Sequence, residues 1–160
     1  MPENELYKTA LSKAMNQCSR REYCTDDLRN KLQSWGIESK DSEKIIAILI
    51  KENFINELRY ATAFVRDKFN YNKWGRIKIA AHLKIKKIEP DILSTAINSI
   101  DNVIYTKFLK ELIAGHKKSV KAKNMYDLKA KLLRYGLSKG FESSLVYDIL
   151  NDLQNDNEDF

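Results

Sequence analysis

Residues that interrupt helices are scarce in this sequence, with two prolines and five glycines among 160 residues. Beside plentiful Lys, Leu, Ile, Ala and Glu, that scarcity marks a helix-forming composition, and no alternating strand pattern competes with it. Cysteine is nearly missing as well. Cys18 and Cys24 are too few for a disulfide framework. Two distant histidines, His82 and His116, do not complete four zinc ligands with them, so both thiols read as ordinary and partly buried. No apolar run approaches the roughly 20 residues that span a bilayer. The opening MPENELYKTAL lacks the basic stretch and apolar block of a secretory signal, so a cytoplasmic chain with no membrane partner is expected. Also missing are a G-x-x-x-x-G-K-[ST] phosphate loop, an H-E-x-x-H zinc helix and a G-x-S-x-G elbow. The acids are scattered, with no recognisable acid/base pair. No catalytic residue, metal or cofactor is expected, and the chain reads as a non-enzyme.

What is present is charge of one sign, unevenly spread. The net charge is +6 and the pI near 9.2. Residues 59–87 carry nine Lys/Arg against Asp67 alone, and residues 107–134 carry nine against Glu111 and Asp127. The end is acidic, with Asp152, Asp156, Glu158 and Asp159, and residues 155–160 read as a frayed acidic tail. A basic body suggests an anionic partner, either nucleic acid or a nucleoprotein surface. The plainer reading is a set of Lys-rich solvated helix faces.

The strongest internal signal is a repeat. Leu28-x-x-x-Leu32-x-x-x-Gly36-Ile37 returns as Ile79, Leu83, Lys87 and Ile88, then as Leu128, Leu132, Gly136 and Leu137, at offsets of 51 and 49 residues. Past the last apolar position come Ile45, Ile46 and Leu49, then Ala96, Ile97 and Ile100, then Leu145, Val146 and Ile149. Apolar residues four apart share a helix face, so each copy predicts two amphipathic helices. Leu32, Leu83 and Leu132 are expected to be equivalent and buried. Gly36 and Gly136 sit where the first helix of each pair should end in a left-handed residue, whereas Lys87 predicts a different ending for the middle copy.

A further helical stretch precedes each pair, at 5–17, 57–69 and 103–116. Asn56 is placed to cap, with Ile55 and Tyr60 as a hydrophobic staple. Thr25 ahead of Asp26 and Asp27 suits a helix start. Pro90 fits a first turn, and Asn124 with Asp127 outlines a capping box. The expected fold is all-α: three tandem three-helix repeats at 1–53, 54–101 and 102–154, forming an elongated, curved array.

The binding candidates are basic. Lys73-Trp74-Gly75-Arg76 precedes a helix, where backbone N–H groups with Arg76 and Lys78 are placed to hold a phosphate or carboxylate. Trp74 either stacks on a partner or plugs the joint between two helices. Arg20 and Arg21 hold a similar place in the first copy. Arg59, Arg66 and Lys68 lie along one helix as a binding strip or a solvated face. Tyr60, Phe64 and Tyr71 read as core. His82 reads as a helix-edge residue and His116 as a helix end.

Three stretches resemble the RecX family, modulators of the RecA recombinase. They are 20-RREYCTDDLRNKLQSWGI-37, 54-FINELRYATAFVRDK-68 and 73-KWGRIKIAAHLKIKKI-88, in the family's order, and the likeness spans roughly residues 6–155. The departures are Asn53 and Lys87, each standing where the family has glycine. The resemblance implies tandem three-helix repeats lodged in the groove of a RecA filament on DNA. It implies a monomeric regulator in DNA repair and recombination that restrains RecA's filament growth, ATP turnover and strand exchange. Direct contact with single- or double-stranded DNA stays open. The alternative is an autonomous DNA-binding protein, although Lys-rich faces favour backbone attraction over base reading.

Overall fold

The structure, a computed structural model, describes the backbone of residues 2–155 and the side chains of residues 5–153. Among those residues there are nine helices and no strand: α1 (Pro2–Arg20), α2 (Thr25–Ser34), α3 (Ser39–Lys51), α4 (Glu57–Asn70), α5 (Arg76–Ile85), α6 (Pro90–Ile97), α7 (Asn102–Lys117), α8 (Met125–Ser138) and α9 (Ser143–Asn155). The fold is all-α, built as three successive helical triplets. Of the expected tail 155–160, Asn155 ends α9 and residues 156–160 lie outside the described residues.

The chain divides into two compact units. One comprises residues up to Phe64 together with Leu83–Ala96, and the other comprises Val65–His82 together with the chain from Ile97 onward. In the first, α2 packs on α3 and α1 touches α3. Its core is one apolar cluster: Ala10, Ala14 and Cys18 from α1, Leu28 and Leu32 from α2, Ile45, Ile46 and Leu49 from α3, with Ile37 and Ile55 from the connections. Of these, Leu28, Leu32, Ile45, Ile46 and Leu49 are the positions that the repeat's spacing put on helix faces. In the second unit α8 packs on α7 and α9. Its interior is more aromatic, with Phe69 against Tyr105 and Phe108, and Tyr105 against Phe141.

Helix starts follow the local chemistry, with one displacement. Asn56 Oδ1 accepts from Arg59 N at 2.9 Å, and Ile55 and Tyr60 are both buried as the staple requires. Asn124 Oδ1 accepts from Asp127 N at 2.8 Å, and α6 begins at Pro90. At α2 the cap is Cys24 rather than Thr25. Its Sγ accepts from Asp27 N at 3.4 Å, and Thr25 is already helical. Asp26 and Asp27 still serve the positive helix end, where they pair with Lys87 (3.5 Å) and Lys86 (2.5 Å) of the same unit.

Helix ends correct two expectations. Lys87 does not end its helix differently: it takes φ 62°, beside φ 83° at Gly36. Both ends close in the same way, Ile37 N on Leu32 O at 3.0 Å and Ile88 N on Leu83 O at 3.2 Å. Asn53, the other residue standing where the resemblance expects glycine, takes φ 63° after α3. The left-handed geometry is therefore kept at both positions although the glycine is not.

In the third triplet the cap is Gly140 (φ 92°), and Phe141 N bonds Gly136 O at 3.1 Å. Gly136 lies inside α8, where a Cβ would sit 2.9 Å from Val146, so it serves close helix packing instead of helix ending. The caps thus recur at 36, 87 and 140, which shifts the third copy by one helical turn. Leu32, Leu83 and Leu132 are all fully buried as expected. By cap register, however, Leu132 matches Leu28 and Ile79, and the partners of Ile45 and Ile46 are Ile149 and Leu150. Tyr71 is not core either, being 81% exposed just past the end of α4.

Candidate partner-binding surface

In the second unit the surface is made by the end of α4, the turn after it and the start of α5. Trp74 N donates to Lys68 O at 3.0 Å, closing the end of α4, with Lys73 in the left-handed region at φ 60°. Gly75 then opens α5 pressed against the end of α8. A Cβ on Gly75 would lie 2.5 Å from Gly140 C and Phe141 N, backbone atoms with no room to yield.

That contact consumes the donors expected to hold an anion. Gly75 N donates to Lys139 O (2.7 Å), Arg76 N to Tyr105 Oη (2.9 Å) and Ile77 N to Gly140 O (2.9 Å). A phosphate or carboxylate at this helix start would have to displace all three, so the expected anion cradle is not formed. The Arg76 guanidinium is similarly engaged. It donates to Asn102 Oδ1 at 2.5 Å, pairs with Glu142 at 3.3 Å and lies 3.8 Å from the centre of the Tyr105 ring. With its side chain 20% exposed, it ties the start of α5 to α7 and to Glu142 just ahead of α9. Tyr105 Oη donates to Glu142 Oε1 at 2.5 Å. Burial, helped by that carboxylate, pushes the Tyr105 phenol well above its ordinary range.

What reaches solvent here is different. Trp74 is half-buried, its ring 4.5 Å from the His82 ring, with the Lys68 and Lys78 ammonium groups 4.9 and 4.7 Å from its centre. Each cation is within cation–π range of the indole, which steadies two flexible side chains at one spot. Lys73 is exposed beside them, and Arg66 is exposed with only a loose approach to Asp67 at 3.6 Å. The unit therefore gathers Lys68, Lys73, Trp74 and Lys78, while Arg76 is turned to the fold.

The first unit repeats the division. Arg20 and Arg21 are exposed at the end of α1, with Arg21 stacked 4.3 Å over the Tyr23 ring. Arg59 is engaged inside the unit: its Nε meets Glu22 Oε2 at 2.6 Å, and it donates to Asn53 O (3.1 Å) and Phe54 O (3.4 Å). A joint recurs as well. Glu57 Oε1 of α4 accepts from Thr25 N at the start of α2 (3.3 Å), as Tyr105 of α7 does from Arg76 N at the start of α5. Sequence reasoning missed these pairings because their members lie 29 to 66 residues apart, as for Arg76 with Tyr105 and Glu142. Among the described residues no group of three His, Cys, Asp or Glu is placed for a metal ion, and no helix is long and apolar enough to cross a membrane.

Comparison with known proteins places this arrangement. Residues 56–97, spanning α4 to α6, match the family model for the second three-helix domain of RecX. The chain is 28% identical over 160 residues to regulatory protein RecX of Clostridium acetobutylicum, covering 97% of this chain and 73% of that one. It is 27% identical over 158 residues to the Clostridioides difficile protein of the same name, covering 98% and 73% respectively. A 31% identical relative from Clostridium perfringens aligns over 134 residues, 81% of this chain and 61% of its own length. The fold superposes on the crystal structure of RecX from Lactobacillus salivarius with a TM-score of 0.81 at 22% identity, covering 94% of this chain and 98% of that one. The helical triplets, the matched central domain and the relatives aligned along nearly all of this chain agree: the chain belongs to the RecX family of regulatory proteins.

Proposed function

We propose that this protein acts as a monomer on the filament that RecA recombinase forms on DNA, restraining its ATP turnover, growth and strand exchange. Its working units are the repeats 1–53, 54–101 and 102–154. The observation that carries the reading is the pair of ammonium groups steadied on Trp74, with Lys73 beside them. Lys68 and Lys78 stand against the indole while the neighbouring arginine is engaged within the fold. In the second unit Lys68, Lys73, Trp74 and Lys78, with Arg66, form a contact toward an anionic nucleoprotein, supported from within by Arg76. In the first unit the exposed Arg20 and Arg21 form another, supported by Arg59.

The test is RecA ATPase on single-stranded DNA with this protein at sub-stoichiometric ratio. Turnover should fall, and changing Lys68, Lys73 and Lys78 together to Ala should restore most of it. The control changes Lys40, Lys44 and Lys51 of α3, three exposed lysines elsewhere. Equal relief by both triples would reduce the effect to net charge. Equal affinity for the filament and for free single strands, with a steep salt slope, would favour the autonomous DNA-binding reading.

A further inference from the structure

The most basic stretch of the second unit lies elsewhere, around the connection from α7 to α8. Residues 116–134 carry seven Lys/Arg against Asp127 alone. That single acid is occupied: its carboxylate accepts from Lys123 N at 3.0 Å and pairs with Lys131 at 3.1 Å. Those contacts hold its carboxyl below the usual range, so it stays an ion and neutralises Lys131, leaving the connection's own lysines uncompensated. The connection is also fixed in shape. Lys131 Nζ donates to Lys121 O at 2.6 Å, Asn124 caps Asp127 N, and Ser119 and Val120 N–H groups close the end of α7 on His116 O.

On this pinned backbone Lys118, Lys121 and Lys123 are exposed, and three residues beyond Lys123 stands Tyr126. At 85% exposed it is the most accessible large hydrophobic residue of the described chain. A tyrosine left that open gains nothing from the core, and its ring is free to meet another flat surface. Cations spaced along a fixed strand with an open aromatic ring beside them match what single-stranded nucleic acid offers, phosphates at regular intervals and unstacked bases.

We propose that residues 118–126 form a contact for single-stranded nucleic acid, with Lys118, Lys121 and Lys123 on successive phosphates and Tyr126 stacked on a base. The capped N–H end of α8 supplies no phosphate donor, because Asn124 already accepts from Asp127 N and Asp127 accepts from Lys123 N. A protein partner would need a line of carboxylates at matched spacing and would leave the ring without a flat counterpart. The contact does not rest on the recombinase reading, since it needs only the strand.

The experiment titrates the full chain into a fluorescein-labelled thymidine 30-mer, with no recombinase present, and reads anisotropy across a salt series. Binding should weaken with salt. Changing Lys118, Lys121 and Lys123 together to Ala should flatten the log–log salt slope by about 2, since each neutralised phosphate contributes about 0.7 on single strands. Tyr126→Ala should lower affinity about tenfold with the slope unchanged, and Tyr126→Phe should keep it. The Lys40, Lys44 and Lys51 triple should cost clearly less than the loop triple. No binding at low salt, equal losses from the two lysine triples, or an unchanged affinity in Tyr126→Ala would each overturn the assignment. Equal binding of duplex and single strand, insensitive to Tyr126, would do the same.

Discussion

Three glycines occupy three different environments, and replacing each by alanine should separate backbone contact, backbone strain and chain entropy. At Gly75 an added Cβ would lie 2.5 Å from Gly140 C and Phe141 N, over an ångström inside ordinary contact, and both neighbours are backbone. Relief requires α5 and the end of α8 to separate. That breaks the bonds from Gly75 N to Lys139 O (2.7 Å) and from Ile77 N to Gly140 O (2.9 Å). At about 1 kcal/mol for each bond and about 1–3 kcal/mol for overpacking, Gly75→Ala should cost about 3–5 kcal/mol. Gly36 has nothing within 4 Å of its Cβ position but sits at φ 83°, so Gly36→Ala should cost only the left-handed strain, about 1–2 kcal/mol. Gly115 lies in α7 with open space around it, and Gly115→Ala should stabilise by about 0.5 kcal/mol. Urea unfolding followed by far-ultraviolet circular dichroism, extrapolated linearly to water, gives all three values. A cost for Gly75→Ala no larger than for Gly36→Ala would show that the two backbones are not pressed together, and the account of this joint would fail.

Lys87→Gly should raise stability by about 1 kcal/mol, because it removes the strain of φ 62°. Its ion pair with Asp26 uses an ammonium that is 74% exposed and contributes little, so a net loss in urea unfolding would show the pair to outweigh the strain. Alkaline pH should weaken the fold. Burial pushes the Cys24 thiol from an ordinary 9.0 up to about 12, so the unfolded chain releases that proton first. Stability is then full below about pH 9 and declines as pH climbs toward 12. Burial moves the Tyr60 and Tyr105 phenols in the same direction, and a urea midpoint unchanged between pH 8 and pH 11 would contradict this linkage.

The helices and their triplet order could be read from the sequence because burial on a helix recurs at three and four residues, and few prolines or glycines blur the pattern. The same periodicity explains the one register error. A slip of four residues returns a helix to nearly the same face. Leu128, Leu132 and Gly136 therefore imitate Leu28, Leu32 and Gly36 as well as the true set does. What breaks the tie is length: α8 has 14 residues where α2 and α5 have 10, so one additional turn precedes the shared frame. The structure shows it at the cap, where Phe141 is 1% exposed and Leu137 43%. Apolar spacing alone cannot see an added turn. The second glycine of the pair, Gly140 ahead of Phe141, was the available signal.

The basic surface was legible as charge but not as roles, and the reason lies in the difference between two cations. Arginine's planar fork satisfies a carboxylate with paired bonds and tolerates partial burial, whereas lysine's compact, strongly hydrated ammonium favours water. The chain uses them accordingly. Arg29, Arg59 and Arg76 close onto Glu43, Glu22 and Glu142. Lys86, Lys87 and Lys131 pair instead with Asp27, Asp26 and Asp127, acids in the first turns of α2 and α8. A count of basic residues weighs both types equally and so placed Arg59 and Arg76 among the contacts, although their partners lie 37 and 66 residues away. The surface proposed for a partner then keeps Lys68, Lys73 and Lys78 as point charges beside the exposed forks of Arg20, Arg21 and Arg66. Such a surface attracts phosphates or carboxylates wherever they are regularly spaced, and its selectivity has to come from the shape of the helices that carry it.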